Sequence, residues 1–235
     1  RPCTTARVRS LPGMFSPWHS MATALIPKCC GSCGTPLSPA EVSWCGPCEF
    51  SWVRHSGHAH CRFGERLDWD FQWSWLRLAT PMERELVHAL KYNGDPTLGR
   101  RLGATMAREF SALRKDQNIE NWSVLPVPLH KRRRRKRGYN QSALLAEGWS
   151  SVTGMHCTPL LLRKHAGQSF TRFNRSQRIA RQTAPFDWPD THTALHESNK
   201  GYIILDDVIT TGSTLESMHR TLRTRWQGPL AFVTL

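Results

Sequence analysis

Acidic residues are scarce in this chain of 235 residues: 18 Asp and Glu stand against 32 Lys and Arg, leaving a net charge of +14. Such a deficit points to polyanionic partners, namely nucleic acid, phosphorylated metabolites or an anionic membrane surface. Long apolar runs are also missing. The best one near the N-terminus, Met21 to Ile26, is interrupted by polar residues, so no membrane span is expected. Arg1 to Ser20 has basic residues but no continuous apolar stretch, which argues against a secretory leader and makes a cytoplasmic location the expectation. Repeats and low-complexity tracts are absent. What remains has the length for one α/β domain with a small appendage.

Cysteine is rare outside one window, since six of the eight (Cys29, Cys30, Cys33, Cys45, Cys48 and Cys61) lie between positions 29 and 61. Cys30-Gly-Ser-Cys33 and Cys45-Gly-Pro-Cys48 are two Cys-x-x-Cys pairs separated by eleven residues. A tight turn between two such thiolates aims both at one ion, and two turns complete the tetrahedron that zinc prefers. Cys30, Cys33, Cys45 and Cys48 are therefore the expected structural zinc ligands, with a pair of disulfides as the competing arrangement. Cys29 is an alternative ligand to Cys30. His55, His58, His60 and Cys61 form a looser group that fits surface polar residues better than a second metal site. Four thiolates leave no open coordination position, so such a site folds the module rather than catalysing a reaction.

Tyrosine is sparse, at three residues, but tryptophan is abundant at ten, and Trp18, Trp44, Trp52, Trp69, Trp73 and Trp75 crowd the first third. Packing of a small module and stacking on bases both account for that cluster.

The densest chemistry lies in Ile203-Ile-Leu-Asp-Asp-Val-Ile-Thr-Thr-Gly-Ser-Thr-Leu215. Tyr202 to Leu205 reads as a strand buried on both faces of a parallel sheet. Asp206 and Asp207 follow at its carboxyl end, where α/β sheets bind ligands. Thr210, Thr211, Gly212, Ser213 and Thr214 then lead into a helix predicted from Leu215 to Arg225. A hydroxyl- and Gly-rich turn at a helix N-terminus offers free N–H groups to a phosphate. Adjacent carboxylates on a strand cannot face one way, so Asp206 is placed by the strand and Asp207 by the turn, within reach of ribose hydroxyls or a shared metal.

Helices are predicted from Met82 to Tyr92, behind Pro81, and from Thr97 to Leu113; strands are predicted at Ser123 to Val127, Pro159 to Leu162 and Leu230 to Leu235. Between the first of these strands and the helix containing Leu144, Leu145 and Trp149 runs Lys131-Arg132-Arg133-Arg134-Arg135-Lys136-Arg137. It reads as a loop that is solvated, contacts pyrophosphate or grips a nucleic-acid backbone. Seven contacts to one single strand would give a log–log salt slope of about −5. A second basic stretch, Arg163 to Arg181, with Arg172, Arg175 and Arg178, reads as a mobile lid or a solvated loop. The division that follows is a poorly ordered 1–25, a zinc ribbon at 26–53, a linker or edge segment at 54–80 and the main domain at 81–235.

Taken in order, these motifs resemble the ComF or GntX family of competence-protein-F-like proteins over roughly residues 26 to 235. The resemblance rests on the Cys30 to Cys48 ribbon with its Cys-Gly-x-Pro-Leu turn, Leu86-Val-His-Ala-Leu-Lys91, and Val127-Pro128-Leu129. Arg137-Gly-Tyr-Asn-Gln141, with Tyr139 where Phe is more usual, Gln168 to Arg178 and the Asp206 to Thr214 signature complete it. It implies an α/β, type I phosphoribosyltransferase-like parallel-sheet domain behind a zinc ribbon. Asp206 and Asp207 would meet the ribose of phosphoribosyl pyrophosphate, Thr210 to Thr214 its 5-phosphate and Val127 to Leu129 its pyrophosphate, with Mg²⁺ bridging. Lys131 to Arg137, Arg175 and Arg178 would be its basic contacts. Natural transformation, with single-stranded DNA and a helicase-like partner, is the implied setting; other members are associated with gluconate use. The same fold also serves regulators that bind the sugar phosphate without turnover. One ribbon stands here where longer members have two.

Overall fold

The computed structural model describes residues 29–30, 33–39, 41, 44–51, 67–76, 80–113, 119, 121–164, 185–189 and 201–235. In chain order the elements are α1 (Gly46–Phe50), β1 (Phe71–Ser74), α2 (Pro81–Tyr92), α3 (Pro96–Leu113), β2 (Trp122–Pro126) and α4 (Lys131–Arg137). They continue with α5 (Gln141–Thr153), β3 (His156–Cys157), β4 (Leu162–Arg163), β5 (Phe186–Asp187), β6 (Gly201–Asp206), α6 (Ser213–Arg223) and β7 (Leu230–Thr234).

Five strands pair in the order β1-β7-β6-β2-β3, all parallel. The expected α/β parallel-sheet architecture is therefore present. β6 is central, and its alternation divides the core: Ile203 and Leu205 face the α3–α5 side, Tyr202 and Ile204 the α6 side. Every residue of β2, β6 and β7 is buried. That explains why these strands read as continuous apolar runs rather than alternating ones.

On one face α3 and α5 cross closely. A Cβ at Gly103 would strike the Leu145 carbonyl, and one at Gly148 the Arg100 carbonyl, so backbone meets backbone at this crossing. The close fit seats α5 against the sheet, with Trp149 packed on Phe110 at 5.1 Å between ring centroids. Trp44, Trp73 and Trp75 are buried in the same core, which makes them packing residues and not exposed platforms for bases; Trp18 and Trp52 lie outside the described residues.

Local sequence accounts for most boundaries. Thr80 and Glu83 form a reciprocal capping box before Pro81: Glu83 N–H donates to Thr80 Oγ1 at 3.3 Å and Thr80 N–H to Glu83 Oε2 at 2.9 Å. Three expectations need correction. Lys131 to Arg137 is a helix rather than a loop: His130 Nδ1 accepts from Arg132 N–H at 3.2 Å, and Gly138, at φ 84°, ends it. Lys and Arg are good helix formers, and these caps satisfy the short helix's ends. Pro159 to Leu162 is not a strand, because Pro159 has no N–H for a ladder. Instead β3 pairs with β2 before it, and β4 pairs antiparallel with β5 after it, in a separate small sheet. Finally, Phe71–Ser74 is the edge strand beside β7, so the sheet starts before Pro81.

The cysteine module packs on this domain. Cys30, Trp44 and Cys45 are buried with the α3–α5 core, and Arg101 of α3 is ion-paired to Glu49 of α1 at 2.8 Å. No helix among the described residues is long and apolar enough to cross a membrane. The 1–25 segment lies outside the described residues.

Candidate phosphosugar site and cysteine centre

The carboxyl edge of the sheet gathers the expected residues of the β2 and β6 turns. Val127 N–H donates to the Leu205 carbonyl at 3.0 Å, extending the β2–β6 ladder by one rung and setting the Val127-Pro128-Leu129 turn beside the end of β6. Asn140 Nδ2 donates to the Val127 carbonyl at 3.0 Å and holds that turn from behind.

Asp206 is the last residue of β6 and is buried. Its Oδ1 accepts from Ser142 Oγ of α5 and from the Asp207 N–H, each at 2.9 Å. Burial and the neighbouring Asp207 charge push its carboxyl up to about 7, against the pull of those two donors. Asp207 turns the other way. Its Oδ1 accepts from Val208 N–H at 2.9 Å, and its Oδ2 lies 3.0 Å from Lys91 Nζ at the end of α2. The adjacent acids thus have separate supports, one a hydroxyl and one an ammonium.

Gly212, at φ 72°, is the N-cap of α6 and gives it no side-chain hydrogen bond. A left-handed residue there aims the following N–H groups out of the turn, and only Gly does this without a Cβ penalty. Thr211 Oγ1 and Ser213 Oγ are 3.0 Å apart; Thr210, Thr211 and Ser213 are exposed, and Thr214 is half-buried. Uncapped helix-start N–H groups, hydroxyls and the positive end of an eleven-residue helix are together chemically suited to an anion.

The basic run sits differently. Lys131 to Lys136 are exposed around α4, whereas Arg137 is held back by Gln141 Oε1 at 2.9 Å and stacks over Tyr92 at 5.2 Å. Arg175 and Arg178 lie outside the described residues. Three further residues come into view only in three dimensions: Lys91, Ser142 and Arg163. Lys91 ends a motif already quoted and Arg163 opens the second basic stretch, while Ser142 carries no signal in the sequence.

The four cysteines converge. The Sγ atoms of Cys30, Cys33, Cys45 and Cys48 all lie within 4.8 Å of one another, with Cys33 and Cys45 at 3.6 Å. Tetrahedral zinc–thiolate geometry calls for about 3.8 Å between sulfurs. Cys30 N–H donates to the Thr35 carbonyl at 2.7 Å and Gly34 N–H to the Cys30 carbonyl at 2.9 Å, closing the first turn. The backbone of Cys29 forms an isolated β-bridge with Pro36, and Cys29 stands outside the cluster; among the described residues none of these five cysteines is in a disulfide. The His55, His58, His60 and Cys61 group lies outside the described residues.

No protein-family model matches the chain. "DNA utilization protein YhgH" of Shigella flexneri is 25% identical over 218 residues, covering 84% of this chain and 91% of that protein. "Competence protein F" of Haemophilus influenzae is 24% identical over 198 residues, 83% of each chain. "Competence protein ComFC" of Bacillus subtilis is 27% identical over 141 residues, 60% of this chain and 53% of its own. The chain is ComF-like. A solved structure titled as the allosteric regulatory enzyme of purine biosynthesis aligns with 63% of this ComF-like chain and 30% of its own, at 17% identity and a TM-score of 0.40.

Proposed function

We propose that this ComF-like chain binds phosphoribosyl pyrophosphate, or a closely related sugar phosphate, together with Mg²⁺ at the carboxyl edge of its sheet. The carrying observation is the junction of β6 and α6: a buried strand ends on Asp206, and Gly212 opens the next helix in left-handed backbone with no side-chain cap on its first turn. Strand-end acid and helix-start cradle suit the two ends of a ribose 5-phosphate. The Val127 to Leu129 turn lies next to them for the pyrophosphate.

Asp206 and Asp207 are the residues that would hold Mg²⁺, since hard carboxylate oxygens suit that ion. When bound, the ion supplies neutralisation of the pyrophosphate charge. Around it the protein's share is to fix Asp206 through Ser142, orient Asp207 through Lys91 and present donors to the phosphate. No nucleophilic side chain is needed for pentosyl transfer, where positioning and charge stabilisation lower the barrier. Cys30, Cys33, Cys45 and Cys48 would hold a structural zinc that cross-links the module against α3. The names of the relatives, a DNA utilization protein and two competence proteins, support a role in natural competence; a cytoplasmic setting beside a helicase-like partner is part of the proposal.

The test is thermal stabilisation by phosphoribosyl pyrophosphate with Mg²⁺. Ligand at 100 times its Kd should stabilise the fold by about 2.7 kcal/mol. The Asp206→Asn, Asp207→Asn double variant should lose that gain while remaining folded. A wild-type melting curve that millimolar ligand leaves unmoved refutes the reading.

A second reading, a single-stranded-DNA-binding accessory or regulator without turnover, draws on α4. Six of its cations are exposed, and the seventh, Arg137, lies over Tyr92, which is 55% exposed. Cations beside an exposed ring suit a backbone and its bases.

A further inference from the structure

The Lys91–Asp207 ion pair joins two largely covered side chains, 23% and 14% exposed, at 3.0 Å. Among the described residues no other cation is ion-paired to either acid at the end of β6. Arg163, whose charge reaches Asp206, stacks over the Phe186 ring at 5.2 Å instead. Ser142 Oγ and the Asp207 N–H bond Asp206 Oδ1, the Val208 N–H bonds Asp207 Oδ1, and the ammonium faces Asp207 Oδ2. Three of the four carboxylate oxygens are thus engaged before any ligand arrives.

The ammonium stands on a fixed base. Lys91 is the penultimate residue of α2, whose Leu86, Ala89 and Leu90 are buried in the core. Tyr139 Oη donates to the Leu90 carbonyl at 3.0 Å, one of the end carbonyls that a helix leaves without an internal partner. Arg137 covers the next residue, its guanidinium 3.4 Å from the Tyr92 hydroxyl. Holding the last turn of α2 from these sides reduces the entropy that a long side chain loses on pairing.

An ammonium and a divalent ion compete for the same carboxylate oxygens. Mg²⁺ binds oxygen at about 2.0–2.1 Å, so an ion on Asp207 Oδ2 would meet the ammonium at close range, where like charges in a half-buried site repel strongly. Without the ammonium the covered carboxylate would be uncompensated, and a metal ion would gain by filling its place.

We propose that Lys91 is a specificity-determining residue, the resident counter-cation of Asp207, which excludes a free divalent ion from the acid pair and lowers the repulsion that an incoming phosphorylated sugar meets there. Only the second half rests on the phosphosugar reading of this edge. An ion that arrives with the ligand has phosphate oxygens to help it displace the ammonium, and a free ion has none.

The experiment titrates the zinc-loaded full chain, without phosphosugar, with Mn²⁺ as the probe of the hard-oxygen position, free ion being followed by electron paramagnetic resonance. Lys91→Met, similar in length but uncharged, should bind Mn²⁺ about tenfold more tightly than wild type. Lys91→Arg should stay close to wild type, and adding Asp207→Asn to Lys91→Met should abolish the gain. Metal-free ribose 5-phosphate, measured by calorimetry, should move the other way and bind Lys91→Met about tenfold more weakly. Tyr139→Phe, which removes only the hydroxyl, should shift both affinities in those same directions, by about twofold to fivefold. A lysine that merely props the fold would weaken both ligands when removed, so opposed shifts identify charge competition. The inference is overturned if Lys91→Met binds Mn²⁺ no better than wild type, if Lys91→Arg matches Lys91→Met, or if the gain survives Asp207→Asn. Should Lys91→Met fail to fold, Tyr139→Phe decides, and an unchanged Mn²⁺ affinity overturns it. Ribose 5-phosphate that binds neither wild type nor variant, with the Mn²⁺ gain intact, defeats the phosphosugar reading and supports the exclusion of free metal. Ribose 5-phosphate that binds wild type and Lys91→Met equally overturns the counter-cation role and leaves that reading in place.

Discussion

The β6–α6 turn and α4 both read as anion contacts in the sequence, yet the fold treats them in opposite ways. At the first, few formal charges are present, but each polar group has an assigned place: Asp206 under Ser142, Asp207 against Lys91, and uncapped N–H groups behind Gly212. At the second, seven cations share one short helix and six of them face solvent. At 3.6 residues per turn their side chains point around the axis, so one strand cannot meet them all. Charge density alone produces a field, whereas fixed donors at the end of a strand produce a site.

The largest effect that would break this contrast is expected from Gly212→Val. A branched side chain is strained at φ 72° and disturbs the cradle. Affinity for phosphoribosyl pyrophosphate should fall at least tenfold, about 1.4 kcal/mol, while alanine at Arg132, Arg133, Arg135 and Lys136 together should change it less than threefold. Calorimetric titration of both variants checks this, and a larger loss from the α4 variant would invert the comparison.

A smaller effect concerns pH. The folded-state carboxyl of Asp206 is raised from its ordinary 3.8 to about 7, so the fold binds a proton that the unfolded chain has released. Its favourable contribution is complete below about 4 and is lost as pH rises through 7. The ligand-free melting temperature should therefore decline between pH 5 and 8, and Asp206→Asn should flatten that decline. Matched scans of wild type and variant decide it; parallel slopes would exclude Asp206 as the source.

The smallest effect belongs to α4 and single-stranded DNA. With three or four cations on one side of the helix, the log–log salt slope should be about −2 to −3, not the −5 of seven contacts. Alanine at Arg132, Arg133, Arg135 and Lys136 should bring it close to zero. Fluorescence anisotropy across a salt series measures this, and a wild-type slope near −5 would mean that contacts elsewhere contribute.

Legibility followed the range of the causes. β6 and the α6 start could be read because burial on both faces, a charged strand end and a Gly-rich turn are local patterns. The α2 start was equally plain in Pro81, although its capping box became evident only with Thr80 and Glu83 in place. The helical state of Lys131 to Arg137 was missed because charge dominated the reading over propensity, and its caps, His130 and Gly138, are inconspicuous. The edge strand Phe71–Ser74 was obscured because its partner, β7, is about 160 residues away. Lys91, Ser142 and Arg163 are brought to the sheet edge by separate elements, and sequence spacing cannot report such a meeting.

By itself the sequence determined the parallel-sheet class, the two Cys-x-x-Cys turns and the order of acid and cradle, because each depends on neighbours a few residues apart. Only the tertiary structure decided which cysteine stands outside the cluster and that Asp206 is buried while Asp207 faces Lys91. Those outcomes depend on burial and on charges brought together from distant segments, and both exist only once the chain has packed.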